Sequence, residues 1–455
     1  MHTGMNTEQP AAAQQAAGTA HDEAPVEPEQ LRRATLASSI GSALEYYDFY
    51  IFGLATALIF GPLFFEPFGD AKVIASFATF GIAYIARPLG GVLFGFIGDR
   101  YGRKVVLLST VALMGAASFL IGLLPTYESI GAAAPIMLVA LRILQGLGAG
   151  AEQAGATTLI SEFAPPKRRG FFAALPFVGI QLGTLLGAGT FAILGLVDRT
   201  ALTTWVWRVP FLASFILIIV AVVIRLKLKE TPVFREMEAH KTVVKNPVSA
   251  VWRTSRWNIL KGIGIRMAEN GNSSLYSAVM VSFIGGIAAY QSNNSLGPTA
   301  LLVAAGAAAV MVVFFGWLSD RVGRVPVYKW GALFQAVVAV PAFYLMTLGQ
   351  PWLVIVVVVV GVALGVQSML GPQCALLPEL FGSTHRFTGV ALSREISAML
   401  ASGLIPVLVA ALLAATGNSW LVMAGASLIL SLISFATTFV LPETAGRDLR
   451  STQDA

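Results

Sequence analysis

The sequence predicts an all-α integral membrane protein, with twelve transmembrane helices arranged as two pseudo-symmetric six-helix bundles. Three observations support this prediction. Of the 455 residues, 56% are hydrophobic and 12% are charged, about half the charged fraction of an ordinary soluble domain. Twelve apolar stretches are long enough to cross a bilayer. The two halves of the chain also repeat the same polar motifs at nearly equal spacing.

The apolar stretches follow one another from residue 34 to residue 441. They are predicted at 34–60, 73–98, 104–124, 134–159, 171–196, 208–227, 257–288, 299–318, 326–347, 352–377, 387–414 and 418–441. About 20 helical residues cross about 30 Å of hydrocarbon. Several stretches are longer than this, so we expect tilted helices or interfacial ends.

Polar segments divide the chain between and beyond these spans. Residues 1–33, rich in Ala, Gln, Glu and Pro, are predicted to form a disordered cytoplasmic tail without the pattern of a signal peptide. The two bundles are predicted at 34–227 and 257–441. A cytoplasmic linker at 228–256 is expected to join them, and a second cytoplasmic tail follows at 442–455.

The basic residues provide a test of the span count. The chain has 30 Lys and Arg against 24 Asp and Glu, a net charge of +6. With both termini in the cytoplasm, 23 of the 30 basic residues fall in cytoplasmic segments, and Lys72 and Arg199 fall on the opposite side. This asymmetry favours twelve spans with both termini inside. The expected location is a bacterial inner membrane. The positive charge thus indicates membrane orientation rather than nucleic-acid binding.

Internal repeats indicate two related halves. Residues 98–103 (Gly-Asp-Arg-Tyr-Gly-Arg) follow the second span, and residues 319–324 (Ser-Asp-Arg-Val-Gly-Arg) follow the eighth. A Leu-x-x-Glu pattern ends the fourth span, at 159–162, and the tenth, at 376–379. Glu45 in the first span has a counterpart, Glu269, in the seventh. The three repeats have nearly the same spacing, and two similar bundles with a site between them are typical of transporters.

Several of these motifs resemble those of a known family. The segment 95–104 (Gly-Phe-Ile-Gly-Asp-Arg-Tyr-Gly-Arg-Lys) resembles the signature between helices two and three of the major facilitator superfamily. The resemblance covers about residues 34–445 and implies the major facilitator fold. Five further segments resemble the metabolite:proton symporter family, at 45–50, 87–91, 142–152, 164–170 and 207–211. The resemblance to that family implies proton-coupled uptake of a di- or tricarboxylate, a shikimate-like acid, or an osmolyte such as proline or betaine, without fixing the substrate.

Acids inside the first span are candidates for proton coupling. A charge at the bilayer centre costs at least about 2.5–3.5 kcal/mol, so each one needs a reason. Glu45 and Asp48 are three residues apart and share a helix face about 15 Å into the span. Two neighbouring carboxylates in a low dielectric cannot both ionise easily. Neutralisation by nearby arginines is the alternative. In the second half Asn272 stands where Asp48 would repeat, which favours Asp48 as the titrating group.

Arginines and polar residues at mid-span depth supply the candidate binding site. Arg87 is predicted to bind a substrate carboxylate, or to pair permanently with Glu45 or Asp48. The superfamily resemblance suggests that Arg142 sets the protonation of a coupling carboxylate, with helix packing as the alternative. The other predicted substrate-binding residues are Tyr47, Gln145, Arg266, Glu269, Asn270 and Gln367.

The basic loop after the second span suggests a cytoplasmic gate. By the resemblance, Asp99 and neighbouring arginines tie the two halves together when the cytoplasmic side is closed, and orientation by charge alone is the alternative. Arg394 stands near the cytoplasmic edge, where a gate pair is expected rather than substrate contact. The predicted gating residues are Asp99, Arg100, Arg103, Glu152, Asp320, Arg324, Arg394 and Glu395.

Together these features predict a secondary active importer that carries a small organic carboxylate with protons by alternating access. Uptake of a zwitterionic osmolyte, and a uniporter or sensor of the same fold, stay open. An enzyme is not expected, because the sequence shows no nucleophile–base or metal constellation at a membrane edge, and Cys374 is its single cysteine. A nucleotide-driven pump is not expected either, because the sequence has no P-loop. No cofactor or metal site is predicted, and protons are the expected coupling ion. The expected partners are a small-molecule substrate and membrane lipid, without nucleic acid, for a monomeric protein.

Overall fold

The computed structural model describes residues 28–101, 103–150, 160–162, 164–227, 247–383, 385–449 and 451–455. Within these ranges the chain is helical and contains no β-strand. Most of the predicted amino-terminal tail (1–27) and of the predicted linker (228–246) lies outside the described residues.

Twelve long helices make up the body of the described chain. In the first half they are α1 (Pro28–Ala55, continued by Thr56–Phe60 and Gly61–Phe64), α2 (Lys72–Tyr101), α3 (Arg103–Leu123), α4 (Ala133–Ala149), α5 (Arg169–Leu194) and α6 (Val209–Lys227). In the second half they are α7 (Pro247–Ser274, continued by Leu275–Val279 and Met280–Gly285), α8 (Leu296–Val322), α9 (Arg324–Leu345), α10 (Pro351–Val359, Val360–Val366 and Gln367–Glu379), α11 (Arg386–Ala398, Met399–Leu404 and Ile405–Ala415) and α12 (Trp420–Thr437).

These helices follow the twelve predicted spans in order. Over their described residues, eight are long and apolar enough to cross a bilayer, and α3, α4 and α6 contain shorter apolar stretches. The remaining helix, α7, is long but carries Arg266, Glu269 and a run of Asn and Ser. It begins at Pro247, so residues 247–256 of the predicted linker are helical. The bundle boundaries themselves stay a prediction.

Helix packing repeats between the two halves. The pairs α1–α5, α2–α4 and α3–α6 in the first half correspond to α7–α11, α8–α10 and α9–α12 in the second. The halves meet through α5 on α8 and through α2 on α11. Each of these contacts between two helices of the first half thus recurs between the two helices of the second half whose numbers are six higher. The described chain therefore forms two pseudo-symmetric six-helix bundles that face each other.

Two faces of the molecule are distinguished below. The face at which α5 begins, and against which the described carboxyl-terminal residues 441–455 lie, is called the tail face. The other is called the opposite face. Each long helix runs from one to the other, so α1 runs from the tail face towards the opposite face.

Small residues bring α1 and α5 into close contact. A Cβ atom on Gly179 would lie 1.9 Å from the carbonyl oxygen of Ser39, and one on Gly183 would lie 2.2 Å from that of Ala43. Such backbone approach is how membrane helices gain van der Waals packing. The contact fixes the rotation of α1 about its axis, and so decides which neighbours its acidic side chains meet.

Candidate functional site

A cavity lies between the two bundles. It is lined by α1, α2 and α5 from the first bundle and by α7, α10 and α11 from the second. Five of the predicted substrate-binding residues line this cavity, namely Arg87, Arg266, Glu269, Asn270 and Gln367. A site with walls from both bundles can change its access when the bundles move relative to one another.

Two predicted substrate-binding residues lie elsewhere. The Tyr47 hydroxyl donates to the carbonyl oxygen of Pro210 at 3.0 Å, and its ring packs in the apolar core. Gln145 lies inside the first bundle, next to Arg142. Tyr46 and Tyr50 line the cavity instead, because adjacent residues point about 100° apart around a helix. Tyr47 thus lies on a helix that lines the cavity, but its own side chain does not line it.

Arg87 supplies the charge of the first bundle to the cavity wall. Its Nη2 lies 3.2 Å from Glu45 Oε1, and both side chains are buried. Its guanidinium also lies over the rings of Phe49 and Tyr84, at 4.2 and 4.8 Å from the ring centroids. A buried arginine of this kind needs a counter-charge, and Glu45 provides it. Arg87 therefore pairs with Glu45 rather than with Asp48.

Arg266 is the corresponding charge of the second bundle. Its Nε donates to Ser397 Oγ and its Nη2 to Asn270 Oδ1, both at 3.0 Å. The same Nη2 lies 3.5 Å from Glu269 Oε2, to which Gln373 donates at 3.3 Å. These bonds hold the guanidinium in one orientation at the cavity wall.

Arg394 and Glu395, which were predicted as gating residues, both line the cavity wall. Both are buried, and the guanidinium of Arg394 lies 5.7 Å from the centroid of the Phe177 ring. Glu395 lies within electrostatic reach of Arg87, Arg394 and Arg266. Because α11 starts at Arg386, these residues lie about two turns from the start of the helix. Their role in gating stays a prediction.

Asp48 and Arg142 belong to a second polar cluster, inside the first bundle. Asp48 Oδ1 accepts from Ser214 Oγ of α6 at 2.8 Å. Arg142 donates to Gln145 at 2.9 Å, and Gln145 donates to Ser118 of α3 at 2.6 Å. The charge of Arg142 acts on Asp48. Glu45 and Asp48 were predicted to share one face of α1. In the structure Glu45 contacts α2 and Asp48 contacts α6, so the two acids have different neighbours.

The ring of Phe49 lies between the cavity and this cluster. The Arg142 guanidinium is 4.6 Å from the Phe49 centroid, and the Arg87 guanidinium is 4.2 Å from it. Phe52 and Phe80 also contact Arg142, at 3.9 and 5.4 Å. Aromatic faces attract cations, so these rings partly replace the water that Arg142 lost on burial.

The second bundle has a neutral polar cluster in the corresponding place. Asn272 of α7 donates to Ser431 Oγ of α12 at 3.1 Å and accepts from Gln335 of α9 at 3.4 Å. Ser431 and Gln335 follow their counterparts, Ser214 and Ser118, at one common spacing along the chain, the same as that of the Leu-x-x-Glu repeat. The two clusters therefore use equivalent helices.

At the tail face, buried ion pairs join the two bundles. Arg169 Nη1, at the start of α5, lies 2.9 Å from Glu379 Oε1 at the end of α10. Glu379 Oε2 lies 3.3 Å from Arg324 Nε. Arg324 in turn lies 2.7 Å from Asp320. A chain of alternating charges thus connects α5 of the first bundle with α8, α9 and α10 of the second.

Asp320 completes this network by capping α5. Its two carboxylate oxygens accept from the backbone N–H groups of Gly170 and Phe171, each at 2.8 Å. The first N–H groups of a helix have no partner inside the helix, and its amino-terminal end carries a partial positive charge. A carboxylate of the second bundle therefore satisfies the helix end of the first.

The carboxyl-terminal tail lies against the same network. Thr444 donates to Glu379 at 2.8 Å, and Glu443 accepts from the backbone N–H of Arg324 at 2.9 Å. The carbonyl oxygen of Arg447 accepts from Arg169 at 2.9 Å. The tail thus adds neutral and charged partners to the ion-pair network at the tail face.

Arg169 and Glu379 were not among the predicted gating residues, although both belong to this ion-pair network. The signal was present, because Glu379 ends the second copy of the Leu-x-x-Glu pattern and Arg169 belongs to the segment 164–170 that carries the family resemblance. Asp320 and Arg324 lie in the network. Four other predicted gating positions lie outside the described side chains, namely Asp99, Arg100, Arg103 and Glu152.

Between the cavity and the opposite face, the bundles meet through apolar side chains. One buried cluster contains Phe60 from the first bundle together with Leu275 and Phe283 from the second. A Cβ atom on Gly81 of α2 would lie 2.5 Å from the carbonyl oxygen of Gly403 of α11. The bundles are therefore in contact on both sides of the cavity, through charges at the tail face and through apolar packing towards the opposite face.

Comparison with known proteins gives extensive matches. The chain fits the family profile described as "Sugar (and other) transporter" over residues 34–243 and 233–455. It is 31% identical to the shikimate transporter of Escherichia coli K12, over 94% of this chain and 98% of that protein. It is also 31% identical to the proline/betaine transporter of the same strain, over 94% of this chain and 86% of that protein.

A solved structure has the same architecture. The proton:xylose symporter XylE, of the major facilitator superfamily, superposes with a TM-score of 0.69 at 20% sequence identity. The match covers 93% of this chain and 98% of XylE. At this level of identity the likeness shows the fold, which is the twelve-helix major facilitator fold.

Proposed function

Because the chain belongs to the sugar (and other) transporter family, within the major facilitator superfamily, we propose that it imports a small carboxylate-bearing metabolite together with a proton. The proposed location is a bacterial inner membrane, with both termini in the cytoplasm and the tail face as the cytoplasmic face. The distribution of Lys and Arg supports this orientation. The relatives named for shikimate and for proline or betaine support a small polar substrate with a carboxylate.

Arginine from each bundle would hold the substrate. Arg87 and Arg266 line the same cavity from opposite bundles, and a guanidinium stays charged and can bind a carboxylate through two parallel N–H groups. A substrate that contacts both walls stabilises the closed arrangement of the bundles. Release on either side then requires the bundles to separate on that side.

The observation that supports proton coupling is the buried Asp48–Arg142 cluster. Removing a carboxylate and a guanidinium from water is costly unless each is well paired. Within the described residues, Nε and Nη2 of Arg142 have no hydrogen-bond partner. Asp48 accepts from the hydroxyl of Ser214, which can either donate or accept and so suits the ionised and the protonated acid alike. Asp48 is therefore suited to exchange a proton during each transport cycle.

Phe49 supplies a route between the binding site and the proton site. Its ring contacts the guanidinium groups of both Arg87 and Arg142. When a substrate carboxylate engages Arg87, that guanidinium moves relative to the ring. Arg142 then changes its own position relative to the ring and to Asp48. Substrate binding and protonation of Asp48 are linked in this way.

Uptake by the purified protein in proteoliposomes tests the proposal. The assay applies an inward proton gradient and a panel of labelled compounds: succinate, citrate, shikimate, proline and betaine. We expect gradient-driven uptake of at least one compound, and its loss in Asp48→Asn while substrate exchange without a gradient survives. Glu128→Gln, an exposed position in the short helix Tyr127–Ile130, is the matched control. Uptake that ignores the gradient and the Asp48 substitution would contradict symport and indicate a uniporter.

A further inference from the structure

Two charged side chains on the second-bundle wall of the cavity each have an atom without a hydrogen-bond partner among the described residues. The two atoms are Nη1 of Arg266 and Oε2 of Glu395. Both residues line the cavity, and both are more than nine-tenths buried, with exposed fractions of 4% and 7%. A buried polar group without a partner is unfavourable. A group that enters the cavity can satisfy both atoms.

The two atoms make opposite demands on a ligand. A guanidinium N–H only donates, so Arg266 needs an acceptor, and an ionised carboxylate only accepts, so Glu395 needs a donor. The other bonds of Arg266, to Ser397 and Asn270, fix its orientation. Gln367 adds a further acceptor on the same wall, because its Oε1 also has no partner among the described residues. The wall is suited to a ligand that carries a carboxylate and a hydrogen-bond donor.

The charge balance of the cavity restricts the ligand further. Three arginines and three glutamates lie at or directly behind its wall, so the site is neutral when all are ionised. An amino acid zwitterion leaves this balance unchanged, and the negative charge of a hydroxy monocarboxylate is balanced by one cotransported proton. A dicarboxylate adds two negative charges in a low dielectric, where uncompensated charge is costly. The three arginines and three glutamates counted in this balance are Arg87, Arg266, Arg394, Glu45, Glu269 and Glu395.

On the basis of the proposed function, we propose that Glu395 determines substrate specificity. It accepts a hydrogen bond from an ammonium or hydroxyl group of the substrate, while Arg266 binds the substrate carboxylate. The substrate is accordingly an amino acid or a hydroxylated monocarboxylate. Simple carboxylates, quaternary ammonium compounds and dicarboxylates are disfavoured.

Matched compounds test this specificity in proteoliposomes with an inward proton gradient. One pair is L-proline and N,N-dimethyl-L-proline, which lacks the N–H donor. The other is 3-hydroxycyclohexanecarboxylate and cyclohexanecarboxylate, which lacks the hydroxyl donor. We expect the donor-bearing member of a transported pair to enter at least about tenfold faster, which corresponds to about 1.4 kcal/mol. Succinate is expected to enter more slowly than either donor-bearing compound.

Substitutions assign the preference to Glu395. In Glu395→Gln the uptake ratio within the proline pair is expected to fall at least about fivefold, because the charge that attracts the ammonium is lost. Glu395→Asp keeps the charge and is expected to retain most of the preference. Glu128→Gln is the control. The ratio within each variant does not depend on how much protein folds.

The outcomes separate this inference from the proposed function. Equal uptake within both pairs, or an unchanged ratio in Glu395→Gln, would overturn the role of Glu395 while leaving proton symport intact. Absence of gradient-driven uptake for every compound would contradict the proposed function, and the inference with it.

Discussion

The two bundles build a buried polar cluster on equivalent helices, and the clusters differ in charge. In the first bundle the cluster contains Asp48 and Arg142. In the second, Asn272 stands in place of the aspartate. At the spacing that relates Ser214 to Ser431, the counterpart of Arg142 is Val359. Equivalent helices therefore pack around an acid and an arginine in one bundle, and around a neutral amide in the other.

The comparison indicates that a bundle of this kind can form without the charges of Asp48 and Arg142. The second bundle satisfies its buried amide, because Asn272 donates to Ser431 and accepts from Ser427 and Gln335. A neutral polar cluster is thus compatible with the same helix packing. The first bundle carries a costly acid and arginine in spite of this alternative, which favours a functional role for them. Under the proposed function, the first bundle carries the proton site and the second carries the groups that determine specificity.

The largest expected effect comes from making the first cluster resemble the second. Arg142→Leu removes the cation whose charge acts on Asp48 and the donor that bonds Gln145, so we expect a loss of about 3–5 kcal/mol of stability at pH 8. Adding Asp48→Asn to Arg142→Leu removes the orphaned charge and is expected to restore most of the loss. Chemical unfolding of the purified protein in detergent measures both. Equal or additive losses in the double variant would show that the two residues do not form a unit.

The reciprocal substitution puts an acid into the neutral cluster. Asn272→Asp introduces a buried carboxylate among serines and an amide, where its ionised form lacks a cation. The folded state therefore favours the protonated acid, and the stability lost relative to the native protein is expected to grow from pH 5 to pH 8. We expect a loss of about 2–4 kcal/mol at pH 8. Asn272→Ser is the neutral control, and a loss that does not depend on pH would contradict this explanation.

The ion-pair network that joins the bundles at the tail face, here called the gate, is expected to weaken when Glu379 is replaced. This residue alone pairs with both Arg169 and Arg324 among the described ion pairs, so Glu379→Gln should favour opening at this face. Cys374, the single cysteine of the chain, is buried beside α5 in an apolar cluster shared by both bundles. Its labelling by a maleimide reports opening, and we expect about a tenfold faster reaction, or about 1.4 kcal/mol.

A peripheral pair provides the control for the gate. Glu162 binds Arg386 at 2.8 Å, but Glu162 is 43% exposed. Exposed ion pairs contribute about 0–1 kcal/mol, so Glu162→Gln should change labelling of Cys374 by less than about threefold. Equal labelling rates in the two variants would mean that Glu379 does not hold the gate closed.

The smallest effect is expected from replacing Phe49, whose ring lies between the cavity and the cluster of Asp48 and Arg142. Phe49→Leu removes the cation–π contacts of Arg87 and Arg142 while keeping an apolar side chain, and each such contact contributes about 0.5–2 kcal/mol. We expect gradient-driven accumulation to fall several-fold while exchange without a gradient is retained. Phe52→Leu is the control, because Phe52 contacts Arg142 but lies outside the cavity wall. Equal accumulation in the two variants would exclude Phe49 as the link.

The overall fold could be predicted because its signals are long and repeated. Twelve apolar stretches, the asymmetry of basic residues and three repeated motifs each indicated the same architecture. Where α7 begins was harder to predict, because residues 247–261 mix basic residues with Trp and Val and show no sharp change in hydropathy. Hydropathy locates the membrane core, but a helix extends beyond it for reasons that depend on local hydrogen bonding.

The site could be predicted by helix and by residue type, but not by face. An apolar membrane helix gives no sequence signal for its rotation, because lipid and neighbouring helices accept the same side chains. The glycine contacts of α5 fix the rotation of α1, so Tyr46 lines the cavity and Tyr47 does not. The same cause separates Glu45 from Asp48. The position of Glu395 follows from helix packing between bundles, which a single sequence does not encode locally.

A measurement of proton uptake on substrate binding tests directly whether Asp48 carries the coupled proton. The purified protein in weakly buffered detergent solution is mixed with a compound that the uptake panel has identified, and a pH-sensitive dye reports the protons taken up. We expect about one proton per bound substrate in the native protein and none in Asp48→Asn, although Asp48→Asn still binds the compound. Undiminished proton uptake by Asp48→Asn would show that the proton is carried elsewhere, and that the charge difference between the bundles has another purpose.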